Sequence, residues 1–304
     1  MTDQSALRIE NLKFRYHKRR KSEPWVIDIP ALQMHRGDQM LLTGGSGRGK
    51  STLLHLICGL MDPLQGETYV DGTPIHSLHG AQRDLFRGKR IGMIFQSFNL
   101  LHGFSALDNV MAALMFSTIP KGEHRKRANY MLRHLGIEHP RRHPDKMSIG
   151  QQQRVAVARA MVCDPVLVLA DEPTASLDPE NARIAIKLIQ DICQEKNAAL
   201  LCVSHDPALP ERFENRVSLD ELAKGVLPVF QDDQASPPEQ ITDSIPLATG
   251  PAKEAIITPP PEEHDIATDG PIEDDAPIEL GLDGDVLDEE AKADVNLEVK
   301  ENTE

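Results

Sequence analysis

Apolar positions recur in two rhythms along residues 1–230. From Leu7 to Tyr16 they alternate with polar ones, the period of a half-buried strand, and Trp25 to Ile29 reads as a second strand. Gln39-Met40-Leu41-Leu42-Thr43 is short and mostly apolar, and Thr52 to Cys58 follows with helical spacing. Glu67 to Val70 and Thr73 to Ile75 flank Asp71-Gly72, a hairpin signal. A helix is expected over Ala81 to Phe86, then a buried strand over Ile91 to Phe95. Residues 105–162 carry helical spacing broken at Pro120, Pro140 and Pro144. Strand runs return at Val166 to Ala170 and Ala199 to Val203, separated by a helix over Pro179 to Glu195. This alternation predicts an α/β fold: a parallel sheet covered by helices, with the 105–162 block as an inserted helical subdomain.

Past Gly225 the pattern dissolves. Prolines become frequent, and no aromatic residue follows Phe230. Residues 231–304 hold 22 acidic and 3 basic residues, so the chain's net charge of −14 belongs to its tail; 25 acidic and 30 basic residues remain upstream. So much charge with so little apolar content cannot offset the entropy lost on folding. The expected division is therefore a folded domain over 1–228 and an acidic, Pro-rich disordered tail over 229–304. Ile278 to Leu287 and Val295 to Val299 hold sparse apolar residues, and the tail's acids complement basic segments such as Lys18 to Lys21 and Arg125 to Arg127.

The four cysteines, Cys58, Cys163, Cys193 and Cys202, lie scattered in apolar stretches without metal-ligand spacing, which suits free thiols in a reducing compartment. Twelve histidines include no H-E-x-x-H pair, and no G-x-G-x-x-G follows a strand. The start, Met1-Thr2-Asp3-Gln4, has no apolar core, and no apolar run approaches the ~18 residues needed to cross a bilayer. The expectation is a soluble chain whose membrane role, if it has one, comes through a partner.

The densest chemistry lies at Gly44-Gly45-Ser46-Gly47-Arg48-Gly49-Lys50-Ser51, which fits G-x-x-x-x-G-K-[ST] between a strand and a helix. Glycines let the backbone turn several N–H groups onto an anion, and the helix N-terminus adds partial positive charge. Lys50 suits the β- and γ-phosphates, and the Ser51 hydroxyl suits Mg²⁺. Downstream, Val166 to Glu172 is an apolar strand ending in two carboxylates, the Walker B pattern. Asp171 is placed to hold Mg²⁺ and Glu172 to polarise an attacking water.

With Met147-Ser148-Ile149-Gly150-Gln151-Gln152-Gln153-Arg154 added, the chain resembles the ATP-binding subunits of ABC transporters. Ser148-Ile149-Gly150-Gln151 resembles the signature Leu-Ser-Gly-Gly-Gln, Gln96 the Q-loop, Ser176-Leu177-Asp178 the D-loop, His205 the switch histidine and Tyr16 the aromatic that stacks on adenine. The resemblance covers residues 7 to about 228. It implies a P-loop NTPase (RecA-like) core with a mostly parallel sheet, an antiparallel β subdomain and an α-helical subdomain at about 97–160.

The resemblance also implies a mechanism. Two domains meet head to tail with ATP and Mg²⁺ between them. Gly44, Gly45, Ser46, Gly47, Arg48, Gly49, Lys50, Ser51 and Thr52 cradle the phosphates, with Ser51, Gln96 and Asp171 toward the metal. Ser148, Gly150, Gln151 and Asp178 contact nucleotide across the pair, while Glu172, His205 and Lys50 act in hydrolysis. The partners implied are a second copy or a paired nucleotide-binding subunit and integral membrane permease subunits, which place the chain on the cytoplasmic face of the cell membrane. The subfamily resembled powers lipoprotein release and macrolide or peptide export, and its cell-division members signal through a membrane partner instead of transporting. Chromosome and repair ATPases insert coiled coils or zinc modules between P-loop and signature; neither pattern lies here, and no nucleic acid is expected. A catalytically dead sensor is disfavoured because Lys50, Asp171, Glu172 and His205 are all present.

Two departures matter. Ile149 stands where the family has glycine, and a β-branched residue suits that place only at negative φ. Arg48 occupies a loop position that is ordinarily small, and its side chain is expected to point away from the phosphates.

Overall fold

The computed structural model describes residues 5–17, 24–45, 47–206, 208–228 and 230. The acidic tail, the basic run from Lys18 and the P-loop's Ser46 lie outside the described residues.

Two sheets organise the rest. The first is antiparallel, in the order β2-β1-β4-β5, formed by β1 (Ser5–Phe14), β2 (Ile27–His35), β4 (Gln65–Val70) and β5 (Thr73–Pro74). From Leu7 onward the buried residues of β1 fall at Leu7, Ile9, Leu12 and Phe14, so the two-residue rhythm slips once. Asn11 accounts for the slip: it takes φ 49, and the β1–β4 register shifts between Glu10 and Lys13. An extra residue in the left-handed region resets the alternation, so both halves of the strand face one core. β2 runs six residues beyond the expected Ile29 because its partner dictates its length, with Leu7 facing Met34 and Ile9 facing Leu32. Pro30 is exposed there and tolerated, because β2 is an edge strand.

The second sheet is parallel throughout, ordered β6-β7-β8-β3-β9, from β3 (Gln39–Thr43), β6 (Ile91–Ile94), β7 (Leu167–Asp171), β8 (Ala199–Val203) and β9 (Asn215–Ser218). Near-continuous apolar runs are what a sheet buried on both faces needs. Alternate residues serve opposite cores. Leu167, Leu169 and Leu201 pack with α1 (Lys50–Ile57) and the antiparallel sheet. Val168, Ala170, Leu200 and Cys202 pack with α3 (Ala106–Leu114), α4 (Lys121–His134), α5 (Ile149–Met161) and α6 (Pro179–Glu195). The remaining helices are α2 (Ala81–Arg90), which reaches four residues past the expected Phe86, and the short α7 (Leu219–Ala223). Phe230 is 6% exposed and belongs to the first core.

Helix starts are written in the sequence. Ser105 with Asp108, and Ser148 with Gln151, form reciprocal capping boxes for α3 and α5; Asp178 followed by Pro179 opens α6. All four cysteines are free thiols, and burial pushes Cys193 up to about 12.

Gly92 shows how closely α5 approaches the parallel sheet. A Cβ there would sit 2.5 Å from the carbonyl oxygen of Ala160, which is backbone and cannot swing aside. Gly92→Ala is expected to destabilise the fold by about 2–3 kcal/mol, at the upper end for overpacking. Denaturant unfolding measures it, and an unchanged midpoint would contradict the packing described.

Candidate nucleotide site

The candidate residues gather because the parallel strands end together. The P-loop follows β3, Gln96 follows β6, Asp171 ends β7 with Glu172 next, and Ser204 and His205 follow β8. In the order β6-β7-β8-β3 these ends are neighbours, and ligands of open parallel sheets bind at such carboxyl ends.

The loop is shaped by its last glycine. Gly49 caps α1 at φ 101, and a Cβ there would lie 2.9 Å from Val26 Cγ1. Lys50, the first residue of α1, is 7% exposed. Its Nζ donates to the carbonyls of Gly44 at 2.8 Å and Gly45 at 3.1 Å and lies 3.9 Å from Glu172 Oε1. A buried ammonium held by weak acceptors can exchange them for phosphate oxygens, which are stronger ones. Arg48 passes Gly45 and reaches to within 3.5 Å of Asp220 Oδ2 on α7. Tyr16 and Thr52 share a 2.7 Å hydrogen bond, and the Tyr16 ring packs edge-on against Phe14. That fixes the ring beside α1, with 59% of the residue exposed.

The Ser51 hydroxyl donates to Asp171 Oδ1 at 3.1 Å. Burial raises the Asp171 pKa and neighbouring Glu172 adds to the rise, while the Ser51 hydrogen bond opposes it. A hydroxyl and a carboxylate side by side are the hard oxygen donors Mg²⁺ accepts when phosphates and water complete its shell, so the residues fit the ion.

Glu172 is 9% exposed and sits at φ 46, an unfavourable conformation for a side-chain-bearing residue. Its N–H donates to the Val203 carbonyl at 2.9 Å. Oε2 accepts from Ser204 Oγ at 2.9 Å and from the His205 N–H at 3.2 Å; Oε1 accepts from His205 Nδ1 at 2.6 Å. The His205 side chain is 61% exposed, so it bridges the buried carboxylate to the surface.

The signature residues lie apart from this cluster. Ser148, Ile149 and the amide of Gly150 form the start of α5, where Ser148 Oγ accepts from the Gln151 N–H at 3.3 Å. Ile149 is the first helical residue and has negative φ, as the sequence reading favoured; 52% of it is exposed. Asp178 caps α6 by accepting from the N–H groups of Glu180 and Asn181. Its bonds to the Asn181 side chain and backbone lower its pKa. Among the described residues no hydrogen bond or ion pair joins Ser148, Gly150, Gln151 or Asp178 to the P-loop. Gln96 is exposed in the turn after β6.

Two residues escaped the sequence reading. Ser204, beside His205 in the sequence, carries no motif of its own, yet it bonds Glu172. Arg159 of α5 donates to the carbonyls of Asn99 at 2.5 Å and Phe98 at 2.6 Å, clamping two consecutive residues at positive φ just past Gln96. A guanidinium sixty positions away leaves no local signal.

The family model described as ABC transporter matches residues 28–175. Solved structures of the cassette MJ0796 share the fold, one a dimer in a post-hydrolysis state bound to ADP and Pi, the other the dimer of this bacterial ABC transporter cassette. Each is 30% identical, covers 70% of this chain and 93% of its own, and has a TM-score of 0.60. CbiO1 from Clostridium perfringens, part of the ABC transporter complex CbiONQ, is 27% identical over 75% of this chain and 88% of its own, with a TM-score of 0.63.

Proposed function

Because the chain belongs to the ABC transporter family of ATP-binding cassettes, we propose that its ATP hydrolysis drives separate integral membrane subunits, through head-to-tail pairing with a second copy or a like subunit. The observation that carries this reading is the start of α5. Ser148 and Ile149 are exposed and, among the described residues, make no hydrogen bond or ion pair to the P-loop of their own chain. A helix N-terminus with a free face complements a terminal phosphate held by another subunit. MJ0796 was seen as a dimer, which supports the pairing.

Within each site, Lys50 exchanges its loop carbonyls for the β- and γ-phosphates. Glu172 takes a proton from water as the water oxygen bonds to the γ-phosphorus. The bond from that phosphorus to the bridging oxygen breaks, leaving ADP and phosphate. His205 steadies Glu172 Oε1 and carries the site's hydrogen bonding to the surface. Ser51 and Asp171, with Gln96, would hold Mg²⁺, which would supply charge neutralisation at the phosphates.

A membrane partner has somewhere to dock. Among the described residues no helix is long and apolar enough to cross a bilayer. Leu60, Met93, Phe95 and Phe116 line an apolar groove of about 420 Å³ beside Arg87, with exposed Met115 next to Phe116 in the chain. It suits an amphipathic helix presented by a membrane subunit. By the subfamily resembled, the cargo is a lipoprotein, peptide or other hydrophobic substrate drawn from the membrane.

Light scattering tests the pairing. A non-hydrolysable ATP analogue should double the mass of the wild-type protein, and Ser148→Arg should abolish the doubling while one-chain nucleotide binding persists. Doubling that survives Ser148→Arg would overturn the head-to-tail arrangement.

A further inference from the structure

The geometry points to Ser204 as a positioning residue that sets which oxygen of Glu172 meets the attacking water. This rests on the proposed reading of Glu172 as the general base and adds to it the group that aims it.

The aiming starts in the backbone. Positive φ at Glu172 turns its side chain out of the line of β7 and across to the end of β8. There Ser204 is 1% exposed. Its Oγ accepts from the Asp206 N–H at 3.1 Å, so the hydroxyl's single proton is left for Glu172 Oε2, at 2.9 Å. The Ser204 N–H donates to the Leu42 carbonyl at 3.2 Å, tying the residue to the strand that leads into the P-loop. The hydroxyl therefore has one orientation, one recipient and a fixed mounting.

The consequence is a division of labour between two carboxylate oxygens. Oε2 is occupied by Ser204 Oγ and the His205 N–H. Oε1 is left toward Lys50 Nζ, at 3.9 Å, and His205 Nδ1. That is the side on which phosphate binds. Without the hydroxyl, Oε2 keeps only the longer 3.2 Å backbone bond, and the carboxylate is held chiefly through Oε1 by the exposed His205 ring, so its aim loosens. A reacting group held loosely loses rate without losing substrate.

Three substitutions test this. Ser204→Ala and Ser204→Val remove the hydroxyl, and Ser204→Thr keeps it in the shape of Val. We expect kcat for ATP to fall about 10-fold in the Ala and Val proteins, with KM within about two-fold of wild type, and Thr to restore most of the rate. A merely structural role would move Thr and Val together, because they share a shape, and that result would overturn the proposal. So would near-wild-type kcat in Ser204→Ala alongside an inactive Glu172→Gln. If Glu172→Gln itself turns over normally, the general-base reading fails, and Ser204's role falls with it.

Discussion

Glu172→Gln protein is expected to bind ATP, retain it in a paired complex, and release phosphate at least about 100-fold more slowly than wild type, the loss typical of removing a general base. The substitution preserves size and can still accept from Ser204 Oγ or the His205 N–H through its amide oxygen. It cannot take up a proton. The amide nitrogen, a donor, would also face the donors Lys50 Nζ and His205 Nδ1, which now meet Oε1. Binding by the P-loop stays intact, so the effect should fall on kcat and leave KM nearly unchanged. Phosphate release and filter retention of labelled ATP measure the two halves. Unimpaired release would remove Glu172 from the reaction.

Asp171→Asn should separate stability from function. Mg²⁺-dependent turnover should drop about 100-fold or more, because a charged oxygen donor beside Ser51 is lost. The nucleotide-free protein should become more heat-stable. Burial, and secondarily the adjacent Glu172, raise the Asp171 pKa, which means the fold penalises its charged form. For a carboxylate raised in the folded state, the penalty is absent below the ordinary carboxylate range, builds as pH rises through the folded value, and is complete above it. The gain in thermal midpoint should thus be largest near neutral pH and shrink as wild-type Asp171 becomes protonated. A midpoint unchanged at neutral pH, or turnover retained at ordinary Mg²⁺, would contradict this account.

The trade is a familiar one at reactive sites. Asp171, Glu172 and Lys50 crowd like and unlike charges at the ends of buried strands, and Glu172 holds an unfavourable backbone conformation there, at φ 46. Such strain persists because the flanking parallel strands over-determine the position.

How much of this was legible in the chain follows from where the information sits. The strands β3, β7 and β8 are continuous apolar runs, so their existence and burial on both faces could be read directly. The P-loop could be read because its chemistry is local: glycines, a lysine and a hydroxyl within eight positions, between a strand and a helix. Capping residues Ser105, Ser148 and Asp178 fall in the same class. By contrast β9, Asn215–Ser218, is short and half polar, and is a strand only because β3 pairs with it, Met40 opposite Asn215. α2 buries none of its residues, so its true end at Arg90 carried no apolar marker. The question raised by Ile149 likewise needed the fold: Ser148 caps α5, so the next residue enters the helix at negative φ and a branched side chain is admissible.

By itself, then, the sequence determined the class of fold and the position of the glycine-rich loop between a strand and a helix, because each is encoded by neighbours along the chain. Only the tertiary structure decided that Ser204 bonds Glu172, that Arg159 clamps Phe98 and Asn99, and that Lys50 lies within reach of Glu172. These are directional contacts between residues far apart in the chain, and no periodicity or spacing records a direction in space.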